Sequence, residues 1–210
     1  SHYRFQHLYI WPLYMLMGLR WQIAGDLSSL RAGSIGKSSL RFPRGWALAG
    51  ILVGKMLFVT WAIVLPCLVY PWWIVAATYV AISMASSLVM AVTFQLAHCV
   101  EEADFTSPAE LSATPKLWAV HEVEATVDFC PGNRLLTWAL GGLNYQIEHH
   151  LFPRLPHTLY PALAPIVRQA CHRHDVRYTV QPTLRGALGS HLRHLRQLGR
   201  TGVRVELEMG

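Results

Sequence analysis

Charge is what this sequence is short of. Asp, Glu, Lys and Arg make up only 14% of the 210 residues, against 52% hydrophobic, where soluble domains carry about a quarter charged residues. That composition argues against an ordinary water-soluble globule. From Met56 to Val100 there is no charged residue for 45 positions, about twice what one helical bilayer crossing needs. Acid is nearly absent from the first hundred residues, which set Asp26 alone against seven Lys and Arg, while residues 101–210 balance eleven against eleven. The net charge of +6 therefore flanks an apolar core, whereas a nucleic-acid binder sets its basic residues on a polar scaffold. Cysteine is scarce too. Cys67, Cys99, Cys130 and Cys171 are far apart without a CxxC pair, so neither a zinc ribbon nor a disulfide framework is indicated, and they read as reduced, buried thiols. No charged leader with a short apolar segment and cleavage site follows Ser1. The expectation is a chain lacking its N-terminal part.

What is present reads as an integral membrane, all-α protein. Residues 8–23 are aromatic and apolar but interrupted by Pro12 and Arg20, too broken for a span, and fit an interfacial or re-entrant segment. Residues 24–45 read as a polar loop. Transmembrane helices are expected at about 46–65 and 73–95, joined by a turn carrying Pro66, Pro71, Tyr70 and Trp72. Lys37, Arg41 and Arg44 precede the first span and the turn is uncharged, so both ends of this hairpin are expected in the cytoplasm. Residues 98–210 then form a cytoplasmic histidine-bearing region of one domain, 1–210. Within it, 135–143 is apolar but too short to cross, and is expected against the hairpin or the membrane surface. Two amphipathic helices follow. One puts Leu163, Ile166, Val167 and Ala170 on a face; the other opposes Leu184, Leu188, Leu192 and Leu195 to Arg185, Arg193, Arg196 and Arg200, a pattern that lies on membranes.

Of the eleven histidines, His2 and His7 lie near the terminus, His157 follows a proline, and His172, His174, His191 and His194 sit among arginines on what read as solvated basic faces. Asn144-Tyr145-Gln146-Ile147-Glu148-His149-His150-Leu151-Phe152-Pro153 differs. On a helix Gln146 lies one turn before both His149 and His150, and the adjacent histidines point about 100° apart, which suits ligands of two different ions. Neutral imidazole suits iron, zinc and copper. His98 ends the charge-free span on the same expected side, followed by Glu101, Glu102 and Asp104, which could form an acidic outer shell. His121 is a further candidate.

Phe5-Gln6-His7-Leu8-Tyr9-Ile10-Trp11, Gln95-Leu96-Ala97-His98-Cys99-Val100-Glu101-Glu102, and Gly141 to Pro153 with its QIEHHLFP core resemble, in order and separation, the C-terminal half of membrane fatty-acid desaturases. The likeness is greatest to the front-end and bacterial acyl-lipid branch, whose last histidine box begins with Gln. The tail Val180-Gln181-Pro182-Thr183-Leu184 also looks like the family's end. The resemblance implies a di-iron enzyme that uses dioxygen and two electrons to remove two hydrogens from neighbouring methylenes of an acyl chain, carried on a lipid or on CoA. It implies His98, His149, His150 and Gln146 as metal ligands, with Glu101, Glu102, His121 and Asn144 in an outer shell. The family's HxxxH and HxxHH boxes are absent from these 210 residues, so the ligand set for two irons is incomplete and the isolated chain is expected to be inactive. No HPGG motif of a fused cytochrome b5 is present, so electrons would come from a separate ferredoxin or cytochrome b5. Alternatives are a hydroxylase or ketolase on the same scaffold, a catalytically silent membrane hairpin, and a zinc hydrolase, which needs three convergent ligands.

Overall fold

The computed structural model describes residues 2–35, 38–39, 41–105 and 117–201; Lys37 and residues 106–116 lie outside them. The described chain is mostly helical, with four two-residue strands as the departure from an all-α architecture. It divides into two compact units, one of residues 11–91 and one formed by Ser1–Ile10 with Val92–Gly210.

The apolar run folds into two helices long and apolar enough to cross a membrane, α3 (Trp46–Cys67) of the first unit and α4 (Trp72–His98), which begins in the first unit and ends in the second. They rise about 33 and 40 Å, against a hydrocarbon core of about 30 Å. Both are longer than the spans expected from sequence. Pro66 does not stop α3 because the turns before it, Thr60–Val64, are π-helical. The wider turn accommodates a proline that lacks an N–H and crowds the preceding carbonyls.

The segment that reads as broken is a helix. α1 (Gln6–Arg20) carries Pro12 internally and continues through a π-helical turn, Trp21–Gly25, into α2 (Asp26–Ala32). Its C-terminal half runs antiparallel to α4. Ser87 Oγ donates to the Tyr14 carbonyl at 2.5 Å and accepts from the Gly18 N–H at 2.7 Å. The Tyr79 hydroxyl donates to Gln22 Oε1 at 2.6 Å, and Ser83 Oγ to the same oxygen at 3.2 Å. Small residues let the backbones approach: a Cβ on Gly18 would lie 2.8 Å from that of Ser87. Close packing of small residues with polar bridging is the way apolar helices associate where burial of apolar surface gives little drive.

In the second unit, α5 (Trp118–Glu124), β3 (Asp128–Phe129), α6 (Arg134–Ala139), α7 (Gln146–Leu151), α8 (Tyr160–Arg173), β4 (Val180–Gln181) and α9 (Leu184–Thr201) follow in order. The earlier pair, β1 (Ser34–Ile35) and β2 (Ser38–Ser39), is antiparallel, while β3 and β4 are parallel, Asp128 opposite Val180. One apolar cluster joins Leu96 and Ala97 of α4 to Phe129, Cys130 and Ala187, with Val92, Leu136, Leu140 and Leu188 against it. A second packs Val123, Ile147, Val167 and Cys171. Of the four thiols, Cys130 and Cys171 are buried and Cys99 half-buried, but Cys67 is exposed in the hairpin, contrary to the expectation of buried thiols.

The two C-terminal helices bury faces that coincide only in part with those the sequence suggests, sharing Val167 on α8 and Leu195 on α9, with Leu188 also against the core. On α8 the buried residues are Tyr160, Val167 and Cys171, and Ile166 is exposed. On α9 the buried stripe is Ala187, Ser190, His191, His194 and Leu195, while Leu184 is exposed. His191 and His194 are therefore not on a solvated basic face. His191 Nδ1 donates to the Cys99 carbonyl at 2.7 Å and His194 stacks on Phe105 at 4.7 Å. Hydrogen bonds from Ser190 and His191 to the chain after His98 turn these polar groups inward beside Leu195, where each finds a partner.

Burial pushes both imidazoles below their usual range; the His191 ring adds to this on His194, while the Cys99 carbonyl works the other way on His191 and Glu101 and Glu102 on His194. Below about pH 6.5, the unfolded value, the unfolded chain takes up protons that the folded one refuses. Stability held at neutral pH is thus lost as the pH falls through the lowered folded values. Amide exchange of α9 is expected to quicken, beyond its intrinsic pH dependence, between about pH 7.5 and about pH 5; unchanged protection would contradict this.

Candidate metal centre

The last turn of α4 delivers His98. It is fixed by the backbone, the Val127 N–H donating to the Ala97 carbonyl at 2.9 Å and the Cys99 N–H to that of Gln95 at 2.8 Å. α7 delivers Gln146, His149 and His150. The turn before it needs glycine: Gly141 and Gly142 have φ of 57° and 77°, the left-handed region, and a Cβ on Gly142 would meet His157 Cβ at 3.0 Å and Tyr160 Cδ2 at 3.2 Å. Tyr145, next before α7, donates its hydroxyl to the Pro131 carbonyl.

Three imidazoles gather. The His98 and His150 ring centroids are 5.0 Å apart and those of His149 and His150 5.9 Å. Gln146 Nε2 lies 3.2 Å from His150 Nε2. One nitrogen of each ring is engaged from behind. His150 Nδ1 meets Glu122 Oε2 at 2.5 Å, His149 Nδ1 meets the Tyr160 hydroxyl at 3.2 Å, and His98 bonds the backbone of Ala125. Metal-binding histidines are held in this way, with the second nitrogen on a carboxylate, carbonyl or similar group so that the first presents its lone pair. Burial, then the neighbouring His150, keeps the His149 imidazole below its usual range and so neutral, the form a metal needs.

Behind the histidines lies a buried acid pair. Asp128 and Glu148 are both fully buried. Asp128 Oδ1 accepts the Ile147 N–H at 3.0 Å, and the Tyr178 hydroxyl sits 2.6 Å from Asp128 Oδ2 and 2.9 Å from Glu148 Oε1. One hydroxyl hydrogen cannot serve two charged carboxylates, so one acid keeps its proton. Burial raises both carboxyls, and the Asp128 charge pushes Glu148 further, to about 8, so the pair shares that proton. Burial, followed by the same two acids, raises the Tyr178 phenol.

Of the residues expected to surround the metal, Glu101 and Glu102 turn away. Glu101 pairs with Arg193 at 2.7 Å, and Glu102 accepts from Gln181 and Ser190 at 2.6 and 2.5 Å, fastening the chain after His98 to α9 and β4. Asn144 is buried against the Cys130 carbonyl and Thr137 Oγ1, bracing a turn. His121 is half-buried, and its side chain makes no hydrogen bond to another described residue. The carboxylate beside His150 is instead Glu122. It adjoins His121 in sequence but stands 28 positions from its partner, so no local spacing reveals it; the same holds for Tyr160 and Tyr178.

The donors fit one part of a metal shell. Gln146 Oε1 is buried without a hydrogen-bond partner among the described residues, as an amide oxygen kept for a ligand would be. They do not close a shell: among the described residues no three His, Cys, Asp or Glu side chains are grouped to hold an ion.

Residues 1–182 match the sequence profile of the family described as Fatty acid desaturase. The chain is 34% identical over 199 residues to the sn-1 linoleoyl-lipid 6-desaturase of Arthrospira platensis, covering 94% of this chain and 54% of that protein. It is 34% identical over 207 residues to the Acyl-lipid (8-3)-desaturase of Physcomitrium patens, covering 98% and 43%, and 38% identical over 146 residues to that of Mortierella alpina, covering 70% and 33%. It thus spans about half the length, or less, of these relatives. No solved structure matches.

Proposed function

From the premise that this chain belongs to the fatty acid desaturase family, a family of oxidoreductases, we propose that it carries the C-terminal share of an acyl-lipid desaturase's iron site. The observation that carries this is that His98, His149 and Gln146 each adjoin His150, with each imidazole held from behind. His98, His149, His150 and Gln146 would hold iron; Glu122, Tyr160 and the Ala125 backbone keep the rings oriented. The Glu122 carboxylate beside Nδ1 would keep the His150 proton on that nitrogen and leave the Nε2 lone pair for the metal. When bound, iron would supply the oxidising power by which dioxygen, two electrons and two protons turn a –CH2–CH2– pair into –CH=CH– and two waters. A separate ferredoxin or cytochrome b5 would supply the electrons. The substrate would be an acyl chain on a glycerolipid, as the names of the relatives suggest.

In this reading α3 and α4 cross the bilayer and the histidine-bearing unit faces the cytoplasm, on the side of Arg41 and Arg44. The two irons need ligands beyond these residues, from HxxxH and HxxHH boxes. The test is fatty-acid profiling of cells expressing the 210 residues alone and the same frame extended upstream in its source. The chain alone should form no new double bond. An extended frame with both boxes should form one, lost in the His149→Ala/His150→Ala double variant. An added hydroxyl or keto group would instead establish the hydroxylase reading, and an extended frame without any effect on lipids the silent hairpin.

A further inference from the structure

α6 is a short helix with two apolar sides. Its inner side, with Leu140 just beyond its end, packs Leu136 and Leu140 onto the cluster that contains Leu96 and Ala97, the last turn of α4. Its outer side presents Leu135, 74% exposed, and Trp138, 80% exposed, one turn apart. Water would oppose such a pair. The helix is nonetheless rigidly built: Asn133 caps it by accepting the Leu136 N–H at 3.0 Å, and Thr137 Oγ1 both donates to the Asn133 carbonyl and accepts from Asn144 Nδ2, each at 3.0 Å.

We propose that α6 is an anchor in the phospholipid headgroup–acyl boundary that sets the depth of the histidine helix. The inference rests on the reading of α4 as a membrane span. α4 is about 10 Å longer than a hydrocarbon core, so its terminal turns stand at headgroup level, and α6 is packed against one of them. Indole belongs at that level. The charge agrees: from Pro131 to Ile147 the chain holds Arg134 and no acid, which suits lipid phosphates. Through Thr137 and Asn144, α6 is tied to the residue two positions before Gln146, so a fixed depth for Trp138 fixes the height of His149 and His150 above the acyl chains. This deepens the proposed function by assigning the surface that registers the site against its lipid.

The test is nitroxide depth measurement in phosphatidylcholine/phosphatidylglycerol vesicles, in a Cys67→Ser/Cys99→Ser background of the 210-residue chain. Labels go on Trp138→Cys, on Leu135→Cys as a second reading of the same face, on Leu52→Cys of α3, and on Gln169→Cys of α8. The labels at 135 and 138 are expected to collide several-fold less with an aqueous nickel chelate than the one at 169, and to favour oxygen, though less than the one at 52. If 52 is oxygen-favoured while 135 and 138 behave as 169 does, the anchor is overturned and the span stands. If 52 is itself open to the chelate, the span fails and the anchor with it. Spin–spin broadening at 138 that dilution with unlabelled chain removes would show a second copy on this face, and also overturns the proposal.

Discussion

Asp128→Ala is expected to lower the thermal midpoint of the chain by roughly 10 °C, the largest effect of any single substitution considered. Asp128 is fully buried and accepts from the Ile147 N–H and the Tyr178 hydroxyl. Alanine orphans both donors in a dry interior and leaves Glu148 with a hydroxyl that has lost its other partner. Breaking a buried ionic network costs about 3–5 kcal/mol, and in a chain of this size each kcal/mol moves the midpoint by about 2–4 °C. Asp128→Asn should cost much less, because its amide oxygen still accepts from Ile147 and burial no longer works against a charge. Near-UV circular dichroism melts in detergent give the midpoints, and amide exchange localises the loss, expected over α7. Equal melts for the alanine and asparagine variants would mean that Asp128 acts by bulk alone.

If His150 holds iron as proposed, Glu122→Ala is expected to weaken metal retention by about tenfold to a hundredfold in the frame extended upstream, the range for losing the group behind a ligand histidine. At 2.5 Å the carboxylate decides which nitrogen of His150 carries the proton. Without it the ring is free to turn and to take the other tautomer. Glu122→Gln should recover most of the loss, since its amide oxygen also accepts from Nδ1–H. Dialysis against a graded chelator, with iron assayed in the retained protein, gives the ratio. A glutamine variant as poor as alanine would assign the effect to charge rather than orientation, and wild-type retention in the alanine variant would remove Glu122 from the site.

The candidate site was partly legible in the sequence for a local reason. Gln146, His149 and His150 lie on one and a half turns of helix, so spacing alone predicts their convergence, and His98 was marked by ending a charge-free run. The outer shell was not legible. Glu101 and Glu102 follow His98 at once and look like its partners, yet the chain turns after α4 and directs both toward α9. Glu122 lies far from His150 in sequence, and only the packing of α5 beside α7 joins them. The same contrast runs through the helices: Pro12 and Arg20 suggest interruption, and nothing in 8–23 alone discloses the serines of α4 that hold α1.

The sequence by itself determined the apolar hairpin, the mostly helical architecture and, through QIEHHLFP and its companion segments, the family. These follow from composition, from 3.6-residue periodicity and from short words, all of which are properties of neighbours in the chain. Tertiary structure alone decided that α9 buries His191 and His194 beside Leu195 while Leu184 stays exposed, that Asp128, Glu148 and Tyr178 meet behind the histidines, and that Leu135 and Trp138 face outward from a helix seated on the end of α4. Each of those depends on pairing polar groups, or covering apolar ones, across dozens of residues. No periodicity encodes such a pairing, because the free energy that selects it exists only once the partners are brought together.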